Sequence, residues 1–130
     1  MSDPTAPELG PDARYAAFLA EGTFRIQRCG GCEAHVFPPR ILCPKCGGSD
    51  LDWVMPKGGG TVYSCSVIFA KPENGGDYNV SLIDLDEGVR LMSRVESIPP
   101  ALVHVGMRVR AQVTVSGDAG LVVFLPEDLA

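Results

Sequence analysis

From Thr61 to Phe69 apolar and polar side chains alternate, with Tyr63, Cys65, Val67 and Phe69 on one face and Val62, Ser64, Ser66 and Ile68 on the other. A period of two predicts a half-buried strand. Turn-rich Lys71-Pro72-Glu73-Asn74-Gly75-Gly76 ends it. Strands are expected next at 79–85 and 89–95, joined by Asp86-Glu87-Gly88, a tight-hairpin signature. Pro99 to Val103 predicts one helical turn, and 108–115 and 121–124 a second hairpin across Gly117-Asp118. A short helix between the third and fourth of five strands suits an OB-fold, a Greek-key barrel, with a small SH3-like barrel as the structural alternative.

Ahead of this β pattern the period changes. Tyr15, Phe18 and Leu19 fall at i, i+3 and i+4 after Pro11-Asp12, and Gly22 supplies a stop. The spacing predicts a helix of about three turns. A helix that short is marginal alone, so its stripe must dock on a neighbouring module or, lacking cover within the chain, form a partner interface. Residues 1–10 are rich in Pro and small polar residues and are expected to be a mobile tail. The expected organisation is therefore a tail and helix over 1–22, a metal-binding ribbon over 23–57 and the barrel over 58–130. Lys57-Gly58-Gly59-Gly60 is expected to be a hinge between the last two.

The ribbon carries the most specific motif. Cys29-Gly30-Gly31-Cys32 and Cys43-Pro44-Lys45-Cys46 are two Cys-x-x-Cys knuckles separated by ten residues. Two such knuckles complete the tetrahedral four-sulfur shell that zinc favours, so one structural zinc on Cys29, Cys32, Cys43 and Cys46 is expected. Disulfides fit poorly, because nothing at the N-terminus resembles a secretory signal. A redox motif would need a Cys-x-x-Cys opening a helix in a βαβ unit. Iron fits the same spacing. Strands are expected at 24–28, 35–37 and 51–55, and Gly30, Gly31, Gly47 and Gly48 are expected to supply positive φ around the metal.

Composition narrows the function. At 130 residues the chain is one ordinary domain or two small modules, with no apolar run long enough to span a bilayer. A soluble cytoplasmic protein is expected. The net charge of −5 divides as −3 over 1–21, +3 over 22–71 and −5 over 72–130. Single-stranded nucleic-acid binding, which ribbons and OB-folds often perform, is the rival function, and the acidic barrel argues against it. No nucleophile elbow, phosphate-binding loop or dinucleotide fingerprint is present. Cys65 on an alternating strand is expected in the core rather than as a nucleophile. His35 is expected at the surface or beside the ligands, and His104 in a loop.

Several strings in fixed order resemble one family: Gln27-Arg28-Cys29-Gly30-Gly31-Cys32, Phe37-Pro38-Pro39-Arg40, the second knuckle, Gly60-Thr61-Val62-Tyr63-Ser64, Leu85-Asp86-Glu87-Gly88 and Val105-Gly106-Met107-Arg108-Val109. Together they resemble the "domain of unknown function thirty-five" proteins, a rubredoxin-like zinc ribbon fused to an OB-fold. The resemblance spans roughly residues 12 to 126. It implies a non-catalytic accessory subunit that binds a thiolase-superfamily enzyme and helps form its acyl-CoA site. Thiolases, acyltransferases, aldolases and hydratases acting on CoA thioesters are the implied partners. The family usually carries an aromatic where this chain has Cys65. On that expectation Arg28, Arg40 and Lys45, with Lys57 a further cation, are the candidates to meet CoA phosphates. The rings of Phe37, Trp53 and Tyr63 are candidates to line an adenine or acyl groove between ribbon and barrel. Tyr15, Phe18 and Leu19 are the candidate partner interface.

Overall fold

A computed structural model describes residues 10–127. The expected tail, Gly10 apart, lies outside the described residues. The chain folds as two compact units: one reaches Pro56 and takes in Val113–Leu121, and the other holds Lys57–Gln112 and the chain from Val122. The architecture is mostly β, with one α-helix, a zinc ribbon and a five-stranded OB-fold.

In the first unit α1 spans Pro11–Ala20. Pro11 sits at the start, where its missing N–H costs nothing, and Asp12 places a negative charge in the first turn. Gly22 ends the helix at φ 90°, its N–H donating to Leu19 O at 2.9 Å while the Thr23 N–H reaches Phe18 O at 3.0 Å. The left-handed position favours glycine, as expected. The aromatic stripe finds cover within this unit. Tyr15 meets Phe37 and Phe24 edge-on at 5.4 and 6.4 Å, and Phe18 meets Trp53 at 5.2 Å. Leu19 is buried, and Gly120 lies so close to its carbonyl that a Cβ there has no space.

The ribbon sheet runs β2-β1-β3, with β1 at Ile26–Cys29, β2 at His35–Val36 and β3 at Leu51–Val54. The central strand pairs antiparallel on both sides, Gln27 opposite Val36 and Trp53. Val36 packs with Cys29 and Cys43 over Leu51, so two ligand cysteines are themselves the core.

In the second unit β4 (Gly59–Ile68), β5 (Tyr78–Leu85), β6 (Arg90–Ser93), β7 (Arg108–Ser116) and β8 (Ala119–Pro126) form a sheet of order β6-β5-β4-β7-β8, the last two strands continuing into the first unit. A parallel bridge between Val95 and Phe124 joins its two edges, Glu96 N–H donating to Phe124 O at 2.7 Å. Closure removes the free edges and makes the sheet a barrel. The expected turn between the third and fourth barrel strands is a 3-10 turn at Pro100–Leu102. The Asp86-Glu87-Gly88 hairpin closes with Leu85 N–H on Val89 O and Gly88 at φ 100°. Val62, Ile83, Val109, Val123 and Phe124 form the fully buried centre.

Two expectations about β4 need correction. Gly59 and Gly60 are not a hinge: they are buried and paired with Arg110, Val109 and Leu85. A Cβ on Gly60 would stand 2.9 Å from Ile83 Cγ2 and Asp84 O, so the glycine permits close strand approach. The alternation also breaks. A β-bulge between Val62 and Ser64 inserts one residue, which leaves Val62 buried and Tyr63 51% exposed, while Cys65 and Val67 beyond it are half-buried.

Candidate metal centre and ligand surface

The two knuckles are built alike. Cys29 N–H donates to Ala34 O and Glu33 N–H to Cys29 O; Cys43 N–H donates to Gly48 O and Gly47 N–H to Cys43 O, all at 2.8 Å. In each, the residue after the second cysteine turns left-handed, Glu33 at φ 68° and Gly47 at φ 77°. Gly30, Gly31 and Gly48 do not take positive φ, which corrects the expectation for them. Gly30 instead lies against the carboxylate of Asp50, which a side chain there would displace.

This geometry delivers four sulfurs to one point. Cys29 and Cys46 Sγ lie 3.6 Å apart, Cys32 and Cys43 Sγ 3.7 Å, and all four within 4.8 Å. Zinc–sulfur bonds of about 2.3 Å in a tetrahedron give sulfur–sulfur edges of about 3.8 Å. The residues present therefore fit one zinc ion. Cys29 and Cys43 are buried, and Cys32 and Cys46 are exposed. Backbone N–H groups prepare the thiolates: those of Cys46 and Lys45 bring the Cys43 thiol down to about 7. The Cys32 N–H lowers Cys29 against the cost of its burial. Cys46 feels the Gly48 N–H, but the crowding of Cys29, Cys32 and Cys43 outweighs it and raises the thiol to about 11. The Cys46 proton is hard to lose without a cation, and zinc supplies one.

Of the other sequence candidates, Arg40 and Trp53 line one hollow. Arg28 makes a long ion pair with Glu33 at 3.7 Å, and Lys45 is exposed on the second knuckle. Phe37 and Trp53 have rings taken up by Tyr15 and Phe18, so both belong to the helix-docking cluster. That cluster also pushes the Tyr15 hydroxyl up to about 12 through burial, keeping it neutral. Tyr63 lies under the Arg90 guanidinium, 3.5 Å from its centroid, and Arg90 in turn grips Asp84. Cys65 Sγ donates to Val103 O at 3.4 Å, and His104 is exposed. His35 is half-buried on β2. Arg40 lines a concave surface.

Sequence reasoning missed two buried polar residues. Gln27 Nε2 donates to Arg40 O at 2.8 Å and its Oε1 accepts Arg40 N–H at 2.7 Å. Asn79 likewise donates to Val95 O and accepts Val95 N–H, at 2.8 and 2.9 Å, with Ser81 Oγ on the same oxygen. Each stands at an inward strand position, where an amide is costly unless paired; that conflict with the apolar pattern was the available signal.

A four-thiolate knuckle pair followed by a closed five-stranded barrel defines a zinc ribbon–OB-fold protein. Residues 16–52 match the ChsH2 rubredoxin-like zinc ribbon domain, and residues 53–114 the ChsH2 C-terminal OB-fold domain. A DUF35 domain-containing scaffold protein of Methanocaldococcus jannaschii is 32% identical over 104 residues, 75% of this chain and 74% of that protein. The chain belongs to the DUF35 family. A probable enoyl-CoA hydratase alpha subunit of Thermomonospora curvata is 40% identical over 86 residues, 65% of this chain. The match spans only 27% of that relative's length. Among solved structures, a chain of the "Ltp2-ChsH2(DUF35) aldolase" superposes with a TM-score of 0.79 at 33% identity, covering 92% of this chain and 98% of that one. Among the described residues no helix is long and apolar enough to cross a membrane.

Proposed function

We propose that this chain is a non-catalytic accessory subunit that binds an acyl-CoA enzyme of the thiolase superfamily and helps form its acyl-CoA site. The observation that carries the reading is the likeness, at 33% identity over nearly the whole of that chain, to the DUF35 component of an aldolase named for two components. The name of the Thermomonospora relative, a hydratase alpha subunit, supports an acyl-CoA enzyme as partner. The zinc supports an accessory role, because four thiolates leave no position for a reacting water. Arg28, Arg40 and Lys45 supply cations for CoA phosphates, Phe37, Trp53 and Tyr63 supply aromatic surface, and the exposed parts of Tyr15 and Phe18, backed by buried Leu19, contribute to the partner contact. A thiolate cage suits a reducing compartment, and we place the chain in the cytoplasm.

Co-expression with a thiolase-superfamily acyl-CoA enzyme of the same organism tests the reading. A stable hetero-oligomer on size exclusion, with acyl-CoA turnover that falls when this chain is withheld, is expected. An enzyme equally active alone, with no complex at micromolar concentration, would refute the proposal.

A further inference from the structure

The four ribbon sulfurs are not equivalent. Cys29 and Cys43 are 0% and 2% exposed, whereas Cys32 and Cys46 stand at the surface. Each exposed sulfur faces a buried one across the knuckles, Cys46 against Cys29 at 3.6 Å and Cys32 against Cys43 at 3.7 Å. Both are van der Waals contacts. Inside each knuckle the backbone is already fixed, Cys29 N–H on Ala34 O and Cys43 N–H on Gly48 O, both at 2.8 Å. A disulfide within a knuckle would close a small ring on that fixed backbone, whereas one between knuckles needs only that the two turns draw together. Cys65, the fifth cysteine, belongs to the other unit, is half-buried and donates to Val103 O.

A sulfur open to a small oxidant, with a second thiolate in contact behind it, is the arrangement of a redox-responsive pair. The ribbon holds two such pairs. We propose that the cage is also a peroxide-oxidisable site: Cys32 and Cys46 take the oxidant, Cys43 and Cys29 resolve them, and two disulfides between the knuckles replace the metal. In the first step an exposed thiolate attacks a peroxide oxygen; the O–O bond breaks, hydroxide leaves and a sulfenic acid forms. The buried thiolate opposite then attacks that sulfur, the S–O bond breaks and a second hydroxide departs as the disulfide forms. Over both pairs, two peroxides take four electrons from four thiolates, and four hydroxides and the zinc ion are released. Bonds that cross between the knuckles hold them together, so the oxidised ribbon stays folded without its metal. Thiol exchange reverses the change by returning four thiolates. The inference rests on the four-thiolate cage and holds whichever enzyme the chain accompanies.

Hydrogen peroxide added to the zinc-loaded chain tests it, with a dye too weak to strip the reduced protein reading zinc and peptide mass spectrometry reading the sulfurs. Release of one zinc is expected at about two peroxides per chain, with loss of all four ribbon thiols. Cross-linked peptides should join Cys29 to Cys46 and Cys32 to Cys43. A dimedone probe present at limiting peroxide should mark Cys32 and Cys46 and leave Cys29 and Cys43 unmarked. Dithiothreitol with added zinc should restore thiols and metal. Trp53 emission should stay near that of the zinc form after oxidation, whereas chelation of the reduced chain shifts it to that of exposed indole. Cys65→Ser should release zinc as fast as the wild type. Disulfides confined within the knuckles, dimedone on the buried pair, or zinc retained at about a tenfold excess of peroxide would overturn the inference.

Discussion

The ribbon and the barrel solve the same problem, burial of a small chain's backbone, by opposite means. The barrel closes on a core of Val62, Ile83, Val109, Val123 and Phe124, all almost without solvent exposure. The ribbon has short strands, and its inner cluster is Cys29, Val36 and Cys43 over Leu51. Remove the metal and two of those core residues become thiols crowded against two more. A module that small cannot offset its ordering entropy with so little apolar area, so its folding free energy is the metal's. The contrast predicts that each unit can be broken with the other left standing.

The largest effect is expected from Cys43→Ser. It removes a ligand whose site contributes on the order of 10 kcal/mol to folding the ribbon. Trp53 is the only tryptophan and lies in the ribbon unit, so its emission reports that unit alone. It should shift to that of solvent-exposed indole while the β-sheet circular dichroism persists. Phe124→Ala comes next, at about 3–5 kcal/mol, and attacks the opposite unit. It should lower the melting temperature of the sheet signal while zinc remains bound and Trp53 emission is retained to higher temperature.

Which parts of this contrast were legible in the sequence follows from what each signal measures. Ligand spacing is local, so the knuckles, the ribbon strands and the Asp86-Glu87-Gly88 turn could be read from a few residues. The barrel order followed because alternation and hairpin lengths leave few ways to close five strands. Long-range approach was not legible. Gly59 and Gly60 look like a hinge in one dimension, and only the nearness of Ile83 and Asp84 shows why glycine is needed. The bulge that turns Tyr63 outward has no composition of its own. For Glu33, a glycine-rich knuckle suggested the wrong residues for left-handed backbone, because the requirement lies one step after the second cysteine. The candidate ligand residues were chosen by charge and aromaticity, which do not reveal that Phe37 and Trp53 also pack against α1.

Smaller effects sharpen the same division. Gly120→Ala drives a methyl into the Leu19 carbonyl and should cost about 1–3 kcal/mol. Although Gly120 is part of β8, it belongs to the ribbon unit, so Trp53 emission should report the loss before the sheet signal does. Glu33→Gly relieves a left-handed residue and gives up only the long pair with Arg28. Against the added freedom of the unfolded chain, a gain of about 0.5 kcal/mol is expected, seen as slower zinc release to a chelator.

Residue-level hydrogen exchange before and after zinc chelation tests the central claim most directly. One zinc per chain should be released, with protection lost over β1, β2, β3 and over 113–121, while amides of Val62, Ile83 and Val109 keep theirs. Protection unchanged in the ribbon, or lost uniformly through the barrel, would contradict it.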